Sequence, residues 1–107
     1  MAGCAQNSAI LGSSQQSNKG FAKLQIKTIG NTTIETFDSI GYTAMEMLRK
    51  NHKVELSYWE SVKCIDDVCA SSRYWWPMSV NGKKSSIGPR SYVVRNNDVV
   101  EFALSTE

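Results

Sequence analysis

Hydrophobic and polar residues alternate in several short runs of this chain, as they do in half-buried β-strands. The run from Phe21 to Ile29 places Ala22, Leu24 and Ile26 on one face, with lysine and glutamine residues on the other. After a Gly-Asn turn signal comes a run rich in β-branched residues, Thr32 to Phe37. We therefore predict that the chain opens with a β-hairpin.

The pattern then changes to that of a helix. Thr43 and Glu46 have the spacing of a capping box, in which each side chain accepts a hydrogen bond from the other residue's backbone N–H. The residues that follow form an apolar face and then a cationic C-terminal end: Ala44, Met47 and Leu48, then Arg49, Lys50, His52 and Lys53. Positive charge is favoured at the C-terminus of a helix. We therefore interpret His52 as a helix-end residue rather than a catalyst.

Alternation resumes after the helix. Val54 to Trp59 reads as a third strand, and Trp76, Met78 and Val80 share one face of a fourth. Because Pro77 has no N–H to donate, this strand is predicted to lie at an edge of the sheet or to contain a bulge.

Turn signals organise the rest of the chain. Asn81-Gly82 predicts a type I′ hairpin turn, since both central residues of that turn need a positive φ. A short return strand should end at Ile87, and Asn96-Asn97 should begin a second turn. In the final strand, Val100 and Phe102 share a face with Leu104. The predicted order is β-β-α-β-β-β, an α+β fold of β-grasp type with a mixed sheet of about five strands against one helix.

Size and charge narrow the function classes. At 107 residues and a net charge of +2, the chain should form one domain and gives no argument for nucleic-acid binding. It contains no run of about 18 apolar residues that could form a transmembrane helix.

The N-terminus has the layout of a lipoprotein. Met1-Ala2-Gly3-Cys4 resembles the end of a lipobox, and residues 1–20 are rich in Ser, Gln, Asn and Gly, as in a flexible tether. We expect Cys4 to be acylated, with the domain spanning residues 21–107. The alternative is that Met1 is a start residue and Cys4 an ordinary thiol, since no hydrophobic signal stretch precedes it.

The other two cysteines flank a short loop. Cys64 and Cys69 are spaced so that a disulfide could close the loop between them, which would suit an oxidising compartment. Free thiols are the next alternative. A metal site is third, because only His52 could add a nitrogen ligand. We expect no metal and no other cofactor.

Trp75 is the most informative candidate for binding. Consecutive strand residues face opposite ways, so if Trp76 points inward, Trp75 points outward. An exposed tryptophan indicates a contact surface, although packing under the cysteine loop would explain it equally well. We name Trp75, Trp59, Tyr74 and Tyr92 as the predicted ligand-binding residues.

Catalytic signals are poor. One histidine, no Gly-rich phosphate loop and no nucleophile–base pair leave nothing to assemble into an active site, so we predict that the protein is not an enzyme. Lys83, Lys84 and Arg90 could meet an anion, but a solvated face explains them better. Asp66-Asp67 is a weak signal for a cation, and Asn81 and Asp98 are interpreted as turn residues.

The run from Thr43 to Leu104 resembles the transcobalamin C-terminal-like (DUF4430-type) β-grasp domain that also occurs in bacterial lipoproteins. The matching pieces are Ala44 to Lys50, Trp75-Trp76, Val80-Asn81-Gly82, Gly88, Tyr92-Val93-Val94 and Asn97 to Phe102. Asn97-Asp98 replaces the family's Gly-Asp, and the cysteine pair is not part of its pattern. The resemblance implies a ligand-binding module. Cobalamin is only a weak expectation, because the large helical domain with which transcobalamins hold their corrinoid has no counterpart here.

Together these features predict an extracytoplasmic, membrane-tethered, non-catalytic module that binds a small molecule or glycan. The alternative is a module for protein interaction or surface assembly.

Overall fold

The computed structural model describes residues 18–58 and 61–106. Two long strands, β1 (Asn18–Thr28) and β2 (Asn31–Ile40), form the predicted hairpin in antiparallel register, with a bulge between Lys19 and Ala22. Strand β1 begins at Asn18, so its first residues fall within the segment that the sequence assigned to a tether.

The helix α1 (Ala44–Asn51) begins where the sequence predicts. Its capping box is complete, because Glu46 Oε1 accepts from the Thr43 backbone N–H at 2.8 Å and Thr43 Oγ1 accepts from the Glu46 N–H at 3.1 Å. The apolar face is buried and consists of Ala44, Met45, Met47 and Leu48. His52 caps the C-terminal end in an extended conformation.

The remaining strands are short: β3 (Val54–Leu56), β4 (Val62–Ile65), β5 (Val68–Cys69), β6 (Tyr74–Trp75), β7 (Met78–Val80), β8 (Lys83–Lys84), β9 (Val99–Ala103) and β10 (Ser105–Thr106). Strand β3 is shorter than the predicted run, and Trp59 lies outside the described residues. Strands β3, β4 and β5 form a three-stranded antiparallel sheet.

The main sheet has five strands in the order β2-β1-β9-β7-β8. Strand β9 runs parallel to β1 and antiparallel to β7, so the sheet is mixed, as predicted. The central strand β9 and its neighbour β1 supply the middle of the core, with Leu24, Val100 and Phe102 completely buried. The α+β prediction is confirmed.

The predicted strand around Pro77 is divided in two. Strand β6 pairs with β10, whereas β7 pairs with β9 in the main sheet, and Trp76 and Pro77 lie between them. A proline cannot donate to a ladder, which accounts for the break. Trp76 points inward as expected, and its indole N–H donates to the Val68 carbonyl at 3.1 Å.

The predicted return strand to Ile87 was too long. Strand β8 ends at Lys84, because the Ser85 hydroxyl accepts from the Ile87 N–H at 3.1 Å and donates to the Ile87 carbonyl at 2.8 Å. Such local side-chain bonds compete with a strand ladder. Ile87 is therefore exposed.

Across the described part of the chain, no helix is long and apolar enough to cross a membrane.

Candidate functional site

Trp75 faces outward, as the strand phase predicts. It lies on β6 opposite Ser105 of β10, and 37% of its surface is exposed. The Lys84 ammonium lies 4.4 Å from the centroid of its ring, which is a cation–π distance. We call Trp75 and Lys84 together the Trp75 surface. It presents an apolar ring beside a positive charge.

Tyr74 does not extend this aromatic surface. It precedes Trp75 on the strand and therefore points to the other face, where it is half-buried. There it lines a cavity of about 330 Å³ with Ser72, Arg73 and Thr106. Two of the predicted ligand-binding residues thus lie on opposite sides of β6, and Trp59 is outside the described residues.

Tyr92 is tied to a buried carboxylate. Its hydroxyl donates to Asp98 at 2.6 Å, and the same carboxylate accepts from the Asn81 side chain at 2.9 Å and the Arg95 N–H at 2.8 Å. Asp98 is only 5% exposed. Burial raises the pKa of its carboxyl group, but these hydrogen bonds outweigh that effect and lower the pKa overall. A ligand-binding role for Tyr92 stays a prediction; its observed contacts are those of a structural residue.

We call Asp98 and the three residues that donate to its carboxylate, Tyr92, Asn81 and Arg95, the Asp98 cluster. Through Asn81 the cluster includes the Asn81-Gly82 turn. Both residues have positive φ, 54° and 84°, as a type I′ turn requires. Asn81 also accepts from the Val99 N–H at 2.8 Å, so the turn is bonded directly to the start of β9. For Tyr92, burial and then the neighbouring Asp98 raise the pKa to about 12.

Cys64 and Cys69 form the predicted disulfide. They lie directly opposite each other on β4 and β5, with an S–S distance of 2.03 Å. Asp66 and Asp67 form the turn between them, with φ of 49° and 71°. The other predicted cysteine site, Cys4, lies outside the described residues.

His52 is held between two carboxylates that the sequence did not connect with it. Its Nε2 lies 2.5 Å from Glu35 Oε2 on β2, and its Nδ1 contacts Asp66 Oδ2 in the disulfide-closed turn. Both ring nitrogens thus face carboxylate oxygens, an arrangement that favours the imidazolium form, which can donate from both nitrogens. Burial lowers the pKa of His52, but the bonds to Asp66 and Glu35 outweigh it and raise the pKa overall.

The group of Glu35, His52 and Asp66, which we call the His52 cluster, joins β2, the end of α1 and the cysteine loop. Asp66 also accepts from the Lys53 N–H at 2.9 Å. Burial raises the pKa of Asp66, but His52 and this backbone bond lower it overall. Asp67 faces Lys53 at 3.7 Å. No group of His, Cys, Asp and Glu side chains within residues 18–58 and 61–106 is arranged to hold a metal ion.

A mixed sheet and one helix that share a single hydrophobic core define a β-grasp-like domain. Residues 41–106 match the sequence model of the family described as a domain of unknown function, DUF4430. That is more than half of the chain, so this protein belongs to the DUF4430 family. The resemblance seen in the sequence is confirmed. No curated protein matches at a significant level.

Two crystal structures share the fold. A protein of Ruminococcus gnavus, described as a candidate metal-binding protein, superposes with a TM-score of 0.70 at 15% identity, over 83% of this chain and 99% of the other. Haptocorrin in complex with Cbi superposes with a TM-score of 0.67 at 22% identity, over 91% of this chain. This chain spans 27% of the haptocorrin chain. At such identities the two matches establish the fold alone.

Proposed function

We propose that this protein is an extracytoplasmic, membrane-tethered and non-catalytic module that binds a small molecule or glycan at the Trp75 surface. The observation that carries the proposal is the outward tryptophan with a lysine ammonium 4.4 Å from its ring centroid. Tryptophan is enriched at binding interfaces, because its ring offers a large apolar area together with a polar N–H.

Two further observations support a binding role. One structure with the same fold contains Cbi, and the other is described as a candidate metal-binding protein. Cobalamin itself gains little support, because this chain matches only 27% of haptocorrin. The Cys64–Cys69 disulfide supports an oxidising compartment, since such bonds persist outside the reducing cytosol. Acylation of Cys4 would provide the tether.

The position of Lys84 narrows the class of ligand that we expect at this surface. One face of the Trp75 ring is covered by a cation, so a ligand reaching this surface meets an apolar ring and a positive charge together. A sugar ring with a carboxylate substituent offers both complementary features, whereas a neutral sugar offers only the apolar face. We therefore favour acidic over neutral glycans.

The test is a nuclear magnetic resonance titration of the full ¹⁵N-labelled chain with trigalacturonic acid and with neutral chitotriose. The acidic probe should shift the indole N–H signal of Trp75 and bind more tightly than the neutral one. Trp75→Ala should abolish the binding. Phe21→Ala, which removes another exposed aromatic ring, is the matched control and should leave it unchanged. Equal binding by the Trp75→Ala variant would refute the proposal.

A protein-interaction module is the second candidate, and the edge of the main sheet favours it. Strand β2 is an outer strand with ten residues, and its Ile34 is 60% exposed. Long exposed edges can accept a strand from a partner. A photo-crosslinking residue placed at Ile34 should then capture a partner protein on intact cells, whereas one placed at Glu55, exposed on the short β3, should not.

A further inference from the structure

A cavity of about 480 Å³ is lined by residues of α1, of the end of β2 and of the loop between them. It is lined by Ser39, Tyr42, Glu46, Met47, Arg49 and Lys50. Its volume falls within the range of small-molecule sites, about 300–1,000 Å³. None of the residues proposed above for ligand binding lines it.

The inner wall of the cavity is apolar. Met47 belongs to the core and is only 1% exposed. The Tyr42 hydroxyl donates to the Ser39 carbonyl at 2.5 Å, so the polar end of the ring already has its partner. The ring itself is held by Phe37, with centroids 6.2 Å apart. A ligand entering here would therefore meet the aromatic body of Tyr42, whereas Met47 is almost fully covered by its neighbours in the core.

The outer wall carries two cations. Arg49 and Lys50 are exposed on the last turn of α1, and neither takes part in any ion pair among residues 18–58 and 61–106. Glu46 is the carboxylate in the lining, and its Oε1 is committed to the capping box. Asp38 lies outside the lining but close enough for its charge to act on the Tyr42 phenol. Arg49 and Lys50 are thus the charges left to meet a ligand.

We infer that this cavity binds a small organic anion with an apolar body, such as an aryl carboxylate or sulfonate. Its apolar group would pack on the ring of Tyr42, and its anionic group would meet Arg49 and Lys50. An arginine fork matches two oxygens of such a group, and Lys50 adds a point charge. A single molecule of that class would thus complement both the apolar inner wall of the cavity and the cations on its outer wall.

The test compares two probes with the same ring system, naphthalene-1-sulfonate and uncharged 1-naphthol. In titrations of the full ¹⁵N-labelled chain, the sulfonate should shift the backbone amides of Tyr42, Met47, Arg49 and Lys50. It should bind about tenfold more tightly than 1-naphthol, as one charge-assisted contact would give. Equal affinities, or shifts confined to other parts of the fold, would overturn the inference.

Paired variants distinguish binding at this site from a general effect of the protein's net charge. Arg49→Gln with Lys50→Gln should weaken sulfonate binding about tenfold. Lys23→Gln with Lys63→Gln removes the same charge from exposed positions elsewhere and should leave the affinity within about twofold. Weakening of the same size in both variants would contradict a site at the helix.

Glu46→Gln gives a result of the opposite sign. Glutamine also completes a capping box, so the helix should remain intact. Removal of one negative charge from the wall should tighten sulfonate binding about two- to threefold. Weaker binding would show that the cavity does not select anions. Since none of these measurements involves Trp75, failure here leaves the proposed function standing, and the reverse also holds.

Discussion

The Asp98 cluster and the His52 cluster both join distant segments through carboxylate oxygens, but they do so with different partners. Asp98 is buried and accepts from a phenol, an amide side chain and a backbone N–H, all of which are neutral. Glu35 and Asp66 instead share one imidazolium and are more exposed to solvent. The first cluster joins the closing turns to β9, and the second joins the cysteine loop to α1 and β2.

Because of this difference, the two clusters should depend on pH in different ways. The hydrogen bonds of Asp98 require only that its carboxyl group is ionised, since its donors are neutral. The lowered pKa of Asp98 keeps it charged well into the acid range. The His52 cluster needs a proton on the imidazole, which leaves as pH rises through the folded-state pKa. We therefore expect the stabilisation from the Asp98 cluster to be constant through neutral pH. The stabilisation from the His52 cluster, which attaches the cysteine loop, should vary with pH.

The largest effect should come from Asp98→Asn. The amide would present an N–H₂ group to donors that now face a carboxylate oxygen, leaving at least one of them unsatisfied in a buried site. We expect a loss of about 3 kcal/mol in the free energy of unfolding. Urea denaturation at pH 7 would measure it. Asp67→Asn is the matched control at an exposed turn position and should change stability by less than about 0.5 kcal/mol; similar losses in both variants would contradict the account.

Removing the disulfide should have the next largest effect, and it acts on the other cluster. For so short a loop, Cys64→Ala with Cys69→Ala should destabilise the fold by about 2 kcal/mol. Because Asp66 would no longer be held beside the helix, the pKa of His52 should also fall towards its ordinary value. A pH titration of the histidine ring signals would show this. An unchanged His52 pKa would mean that the turn stays in place without the disulfide.

Tyr92→Phe should have an intermediate effect. It removes one donor from Asp98 and keeps the ring, so we expect a loss of about 1.5 kcal/mol, typical of a hydrogen bond to a charged group. Denaturation at pH 7 and pH 9 should give the same loss, because His52 takes no part. A loss below about 0.5 kcal/mol would show that the Asp98 cluster depends on its other donors.

The smallest effect is the pH dependence of the His52 cluster. The pKa of His52 is raised in the folded state, so its contribution is complete below the unfolded-state pKa and is lost as pH rises through the folded value. From pH 5 to pH 9 we expect a loss of about 1 kcal/mol, discounted for the half-exposed Asp66.

His52→Gln is the control for this dependence of the unfolding free energy on pH. It should remove the dependence on pH across this interval, whereas Asp98→Asn should keep the wild-type dependence. The same slope in the His52→Gln variant would place the titrating group elsewhere.

Much of the fold could be predicted because its signals are local. The capping box lies within four consecutive residues, and the Asn81-Gly82 turn needs only two. Alternation identified the buried faces of β1, β7 and β9, and the phase of Trp75 and Trp76 followed from it. The interruption at Trp76 and Pro77 was predicted only in part. Proline indicated an edge strand or a bulge at this point, but nothing in the sequence indicated that β6 would pair with β10.

The sites were harder to predict because they depend on tertiary contacts. Glu35 and Asp66 are 17 and 14 residues from His52, and no local pattern links them. Local reasoning identified His52 correctly as a helix-end residue but could not find its partners. The cavity beside α1 likewise depends on how the helix lies against β2. Lys84 was assigned to a solvated face, yet the hairpin returns it to the Trp75 ring.

The most direct test of the central claim is native mass spectrometry of the protein recovered from its own cell envelope. The account predicts acyl chains on Cys4, the mass of an intact Cys64–Cys69 disulfide, and a non-covalent ligand that dissociates on activation and is absent from the Trp75→Ala variant. An unmodified Cys4 in a soluble fraction, with free thiols and the same bound mass in that variant, would contradict it.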